Sequence, residues 1–268
     1  MIVLAVPPVW ATAIRSAIAA IAILILQIIF RQFIIPNLYD ILGIFVISFF
    51  HMVVFGAFMA IGLQYISVGR SVVLGYVTPL WVFPGAWLFL NEPMRPLRII
   101  GLCFGFLGII ILFNPLSINW SDNKIIIGHT LLLLASFSWA ITILFIKFYT
   151  WRSSPFQLVF WQNLFAAALL AIIALFWEGV PNIQITNTLF WQFAYNGLLA
   201  TAFGFWAMTM VNKHLSASVT SLGLLFTPIV GICSSLALLK EQPDFALLAA
   251  AALILAGIAL GTFESHAK

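Results

Sequence analysis

The chain has 268 residues, of which 64% are hydrophobic and 7% charged, with a net charge of +4 and a mean hydropathy of +1.16. A soluble domain carries about 25% charged residues, so this composition excludes a water-wetted exterior and makes lipid the solvent that suits the chain. The excess cations are spread over short loops without a basic cluster, which excludes a nucleic-acid partner.

A bilayer core of about 30 Å needs about 20 residues of helix. On that measure the chain reads as about nine spans, near 9–30, 41–65, 70–90, 97–114, 126–149, 156–177, 188–211, 216–239 and 245–263. The runs are long and continuously apolar, so they are helices and not alternating barrel strands. The expectation is an all-α, polytopic membrane helix bundle embedded in the lipid bilayer as a multi-pass protein.

The first span follows Pro7 and Pro8 and holds Arg15, which either snorkels to the interface or faces the bundle interior as a site for an anionic group. The second carries His51, costly to bury and therefore a candidate lining residue. Tyr76, Thr78, Pro79 and Trp81 lie in the third, which ends at Glu92. A proline inside a helix removes a backbone hydrogen bond and kinks it, so Pro79 reads as a hinge or gate. The fourth span is glycine-rich, with Gly101, Gly105 and Gly108.

Ser136 and Trp139 fall near the middle of the fifth span, and Asn196 is a deep amide in the seventh. In the eighth, Thr227 and Pro228 precede Glu241, and Gly257 and Gly261 stud the ninth. Tyr76, Trp81 and Trp139 can stack on an aromatic or cationic solute. Packing against helix or lipid is the competing role for each. The candidate cavity set is thus Tyr76, Trp81, Trp139, His51, Asn196, Ser136, Thr78 and Thr227. Small hydroxyls in such helices usually bond their own backbone. Glu92 and Glu241 oppose the helix dipole at the ends of corresponding helices and read as structural clamps, with Arg95 or Arg98 and Lys240 as partners.

Cys103 and Cys233 sit inside apolar runs, which argues against a disulfide framework and a metal site. No cofactor is expected. Counting Lys and Arg, one membrane face receives Arg31, Arg95, Arg98, Lys147, Arg152, Lys213 and Lys268, and the other receives Arg70, Lys124 and Lys240. The richer face is expected to be cytoplasmic, which places the C-terminus inside.

An internal repeat organises the chain. Thr78 and Thr227, Pro79 and Pro228, Glu92 and Glu241, and Gly108 and Gly257 are each 149 residues apart, and Pro8 resembles Pro155. The repeat is five spans long. An odd number of crossings inverts the second copy, an architecture typical of transporters. The halves divide as 1–118, with four helices, and 119–268, with five.

These features resemble the drug/metabolite transporter superfamily, specifically the EamA-like exporters. The resemblance rests on Thr78-Pro79 to Glu92, Thr227-Pro228 to Glu241, the glycine-rich helices that follow, and the early Pro8 to Arg15. It implies ten helices in two inverted five-helix repeats, of which the first is apparently lacking here. It also implies export of amino acids or related small metabolites from a bacterial inner membrane. Drug-like or nucleotide-like solutes are alternatives within transport. A membrane scaffold is the alternative outside it. An intramembrane enzyme needs converging acid, base or nucleophile groups, and the sequence offers no such set, so the chain is expected not to be an enzyme. A single chain of this kind supplies a full pathway, so a monomer is compatible with it and an oligomer is not excluded.

Overall fold

The computed structural model describes residues 2, 5–90, 96–113, 123–214, 226–239 and 244–263. Among these, the secondary structure is helical, with no strand. The elements are α1 (Pro8–Ile29), α2 (Leu38–Val46), π1 (Ile47–Phe55), α3 (Gly56–Gly62), α4 (Val68–Gly75), α5 (Thr78–Leu90), α6 (Pro96–Phe113), α7 (Asn123–Phe148), α8 (Pro155–Trp177), α9 (Asn187–Ala194), π2 (Tyr195–Phe203), α10 (Gly204–His214), α11 (Phe226–Leu239) and α12 (Phe245–Phe263). Among the described residues, five runs are long and apolar enough to cross a membrane: Pro8–Ile29, Leu38–Gly62, Val68–Leu90, Asn123–Phe148 and Pro155–Trp177. Two shorter apolar helices are Ile99–Ile111 and Phe245–Leu260. The predicted all-α membrane bundle is borne out. Of the predicted span 216–239, residues 226–239 are described.

The helix starts follow from local chemistry. The first N–H groups of a helix have no partner within it, and in lipid each must be satisfied. Ser154 caps α8 in a capping box with Gln157, and Pro155 takes the first helical position. Asn37, Thr186 and Asp244 accept from the backbone N–H of Tyr39, Leu189 and Leu247. The start of α1 has no cap of its own, and its partner comes from far along the chain. The Glu178 carboxylate accepts from Val9 N–H and Trp10 N–H, each at 3.0 Å. An anion there also meets the positive end of the helix dipole.

By contacts the chain divides into two compact units, one of Met1–Ile61 with Phe145–His214, the other of Gly62–Leu144 with Leu215–Lys268. Each therefore draws helices from both halves of the sequence repeat. In the first, α1 packs along α8. Glu178 meets the start of α1, while Gln27, near its end, donates to the Phe156 and Gln157 carbonyls at the start of α8. The two helices are therefore antiparallel. Val9, Ala13, Ala166, Leu170 and Ala174 fill one stretch of the core, and Ala19, Ala20, Ile23, Val159 and Phe160 fill the next. Each helix also packs against the π segment of the other half, α1 on π2 and α8 on π1.

The second unit pairs α6 with α12. A Cβ built on Gly257 would lie 2.4 Å from the Gly101 carbonyl oxygen, and one on Gly108 would lie 2.9 Å from that of Ala250. These pairings run in opposite directions along the two helices, so this pair is antiparallel as well. Gly101, Gly105 and Gly108 of α6 and Gly257 of α12 thus form an intramolecular seam of close backbone contact. In both units, helices that correspond across the repeat run opposite ways, as halves of inverted topology require.

Candidate functional site

In the second unit, the predicted kink at Pro79 is a full interruption. The α4 helix ends at Gly75, Tyr76 and Val77 leave the helix, and α5 begins at Thr78 with Pro79 in its first turn. Proline fits there because a first-turn N–H has no partner to lose. The Gly75 carbonyl, freed by the break, lies 3.5 Å from the Thr78 hydroxyl, which is also 3.2 Å from the Ser136 carbonyl of α7. A hydroxyl has one hydrogen and donates to one of these at a time.

Five sequence-predicted residues converge at this break. The Tyr76 and Trp139 rings meet edge to face, 5.3 Å apart at 85°. Trp81 donates its indole N–H to Ser136 Oγ at 2.8 Å, and Ser136 passes its own hydrogen to the Leu133 carbonyl at 2.8 Å. Trp81 is further held edge-on by Phe106 and Phe137. Trp81 and Ser136 thus tie α5 to α7, while Tyr76 and Trp139 form the aromatic face of the break. Thr227 and Pro228 lie in the first turns of α11 in this same unit, with Thr227 half-buried. Glu92 and Glu241, with their candidate partners Arg95 and Lys240, lie outside the described residues.

His51, Asn196 and Arg15 belong to the first unit. His51 sits in π1 and Asn196 in π2. These two segments, of nine residues each, occupy equivalent places in the halves, beginning at Ile47 and Tyr195 and each followed by a glycine, Gly56 or Gly204. Helices with i→i+5 bonding are rare and concentrate at functional sites. Thr201 displays the wider winding, because its hydroxyl reaches the Asn196 carbonyl five residues back at 2.8 Å. In the α-helices, Thr12 and Thr142 reach back four, as Ser48 does in the first turn of π1.

Arg15 lies between the two π segments. A Cβ on Gly56, at the end of π1, would come 2.8 Å from its guanidinium, and one on Gly197, in π2, would come 3.4 Å from its carbonyl oxygen. The His51 imidazole is edge-on to Phe205 at 5.2 Å and tilted against Phe55 at 5.5 Å. Three amides of this unit carry buried acceptors. The side-chain oxygens of Gln27, Asn163 and Asn196 are buried and meet no hydrogen-bond donor among the described residues. Such an oxygen calls for a donor. An arginine provides a planar fork that matches a carboxylate.

The sequence reading missed several polar ties of this unit. Asp40 is wholly buried and accepts from Arg152 N–H, Ser153 N–H and the Ser153 hydroxyl. Glu178 and Phe205 were also missed. The acids were visible as span-end residues, but nothing local revealed their distant partners. Among the described residues, no group of three or more His, Cys, Asp or Glu side chains could hold a metal ion.

Comparison with known proteins agrees with this construction. The chain matches the EamA-like transporter family over residues 1–114 and 126–263. It is 26% identical over 258 residues to the uncharacterized transporter YoaV of Bacillus subtilis, covering 96% of this chain and 88% of that one. It is 29% identical over 189 residues to a probable amino-acid metabolite efflux pump of Salmonella typhimurium, covering 67% of this chain and 62% of that one. A solved crystal structure superposes with a TM-score of 0.70 at 17% identity, over 98% of this chain and 90% of the other, a likeness of fold.

Proposed function

The chain belongs to the EamA-like transporter family and is a multi-pass membrane transporter, and from that premise we propose that it exports amino acids or related small metabolites. The observation that carries this reading is that one unit holds both Arg15, whose backbone carbonyl lies against Gly197 of π2, and Asn196 of π2, whose buried side-chain oxygen meets no donor among the described residues. The unit thus supplies a cation suited to a carboxylate and a buried oxygen that calls for a donor, such as an ammonium group. An α-amino acid offers both. The resemblance to efflux pumps of amino-acid metabolites supports the same class.

In this reading the inverted halves alternate access to the solute, and Pro79 and Pro228 serve as hinges or gates. Within the second unit, Tyr76, Trp139 and Thr78 favour aromatic side chains, with Ser136, Trp81 and Thr227 as supporting residues, and within the first His51 is a candidate lining residue. The excess of Lys and Arg on one face supports a cytoplasmic C-terminus in a bacterial inner membrane, across which the proposed export runs outward.

The test is efflux of labelled amino acids from proteoliposomes, with and without a pH gradient. Selective efflux is expected, and the pH comparison decides coupling. Arg15→Gln should slow amino acids at least tenfold more than the matching decarboxylated amines. Tyr76→Ala and Trp139→Ala should weaken aromatic substrates more than aliphatic ones. Equal loss of both classes would make those two rings packing residues. No efflux of any amino acid by the unaltered protein would overturn the reading.

A further inference from the structure

We propose that the first unit carries a binding groove for one acyl chain of an anionic phospholipid, with Arg31 as its headgroup contact. A cavity of about 1060 Å³ lies on this unit, lined by α1, the start of α8, π2 and α10. Its walls are mostly apolar, among them Ile25, Leu26, Leu198 and Trp206, and its polar end holds Arg31 and Gln157. It runs from Ala22 along the last turns of α1 to Arg31, two residues past the end of the helix. Nine steps of 1.5 Å make that about 14 Å, about half of a 30 Å hydrocarbon core. The groove is therefore one leaflet deep, with its charge where headgroups lie.

Arg31 is placed there at a cost. Gln32 N–H bonds the Gln27 carbonyl at 2.7 Å, and Arg31 N–H bonds the Ile28 carbonyl at 3.1 Å. Those two bonds define the left-handed ending of a helix whose special position glycine normally occupies. Here Arg31 occupies it, with φ of 54°, the one non-glycine residue at positive φ among the described residues. An arginine in that conformation is strained relative to glycine, and such outliers point to function. Among the described residues, no ion pair or hydrogen bond engages its side chain. The neighbouring Ser154 and Gln157 side-chain oxygens accept from each other's backbone N–H in the capping box and carry no charge. The groove thus offers one uncommitted cation above an apolar slot. Basic pockets between membrane helices on the cytoplasmic side bind anionic headgroups, and Arg31 lies on the cation-rich face.

Because glycine suits the Arg31 position better than arginine does, Arg31→Gly removes the charge without threatening the fold. Native mass spectrometry of the purified full chain, titrated with phosphatidylglycerol and phosphatidylethanolamine, reads the preference. The unaltered protein should retain phosphatidylglycerol about fivefold over phosphatidylethanolamine, the worth of one interfacial cation. Arg31→Gly should erase that ratio and Arg31→Lys should restore it. Phosphatidylglycerol with brominated acyl chains should quench tryptophan emission of the unaltered protein more than that of Trp206→Phe. Equal retention of the two lipids, or a preference that survives Arg31→Gly, overturns the proposal. So does a preference for free anionic solutes over the lipid, or quenching indifferent to Trp206.

Discussion

The two compact units solve one problem with different chemistry. Each must hold two corresponding helices antiparallel in a solvent that gives apolar surfaces no reason to associate. The α1–α8 pair is pinned at both ends by polar groups, Glu178 on the N–H groups of Val9 and Trp10, and Gln27 on the Phe156 and Gln157 carbonyls. Between those pins lies a seam of alanine, valine and isoleucine. The α6–α12 pair relies on backbone proximity, with Gly257 pressed against Gly101. Pinning fixes position through a few strong contacts, and glycine contact spreads the attraction over many weak ones.

That contrast can be broken at unequal cost. Gly257→Val should have the largest effect. Even its Cβ would sit 2.4 Å from a carbonyl oxygen, and backbone cannot yield as a side chain does. Overpacking costs about 1–3 kcal/mol and sometimes more. Little folded protein should survive fluorescence-detected size exclusion, and a normal profile would refute the close-contact seam. Glu178→Gln should follow, at about 1–3 kcal/mol for two weakened charge-assisted bonds, read as a lowered melting temperature. An unchanged value would mean that the pin is dispensable.

The equivalent glycines that follow the π segments sharpen the comparison within one unit. A Cβ on Gly56 meets Arg15 at 2.8 Å and Thr12 at 2.9 Å, while one on Gly204 finds its nearest neighbour at 3.7 Å. Gly56→Ala should therefore lower both stability and efflux, and Gly204→Ala should gain up to about 1 kcal/mol from helix preference. Identical behaviour would show that Arg15 needs no room there. The smallest effect is expected for Ser136→Ala, about 1 kcal/mol for the lost Trp81 bond, visible as a slight drop in melting temperature.

Much of this arrangement was legible in the sequence. Apolar run length gave the helices, because bilayer thickness is a fixed ruler. The duplicated Thr-Pro marked the break beside Tyr76, and mid-span aromatics marked the ring pair there. Glu178 stayed opaque because its partners lie 168 and 169 residues away and depend on antiparallel docking. The π segments left no mark on residue choice. ISFFHMVVF and YNGLLATAF share little beyond an apolar character, so no residue pattern distinguishes their winding from that of an ordinary helix.

Winding carries a consequence for phase. An i→i+5 bond encloses one residue more than the i→i+4 bond of an α-helix, and one residue is about 100° of rotation. A helical wheel drawn from Leu38 onward with constant angular steps would drift off true beyond Phe55, and one drawn from Asn187 would drift beyond Phe203. For relatives that share these segments, wheels should be restarted at the positions of Gly56 and Gly204 before any face is assigned to solute or lipid.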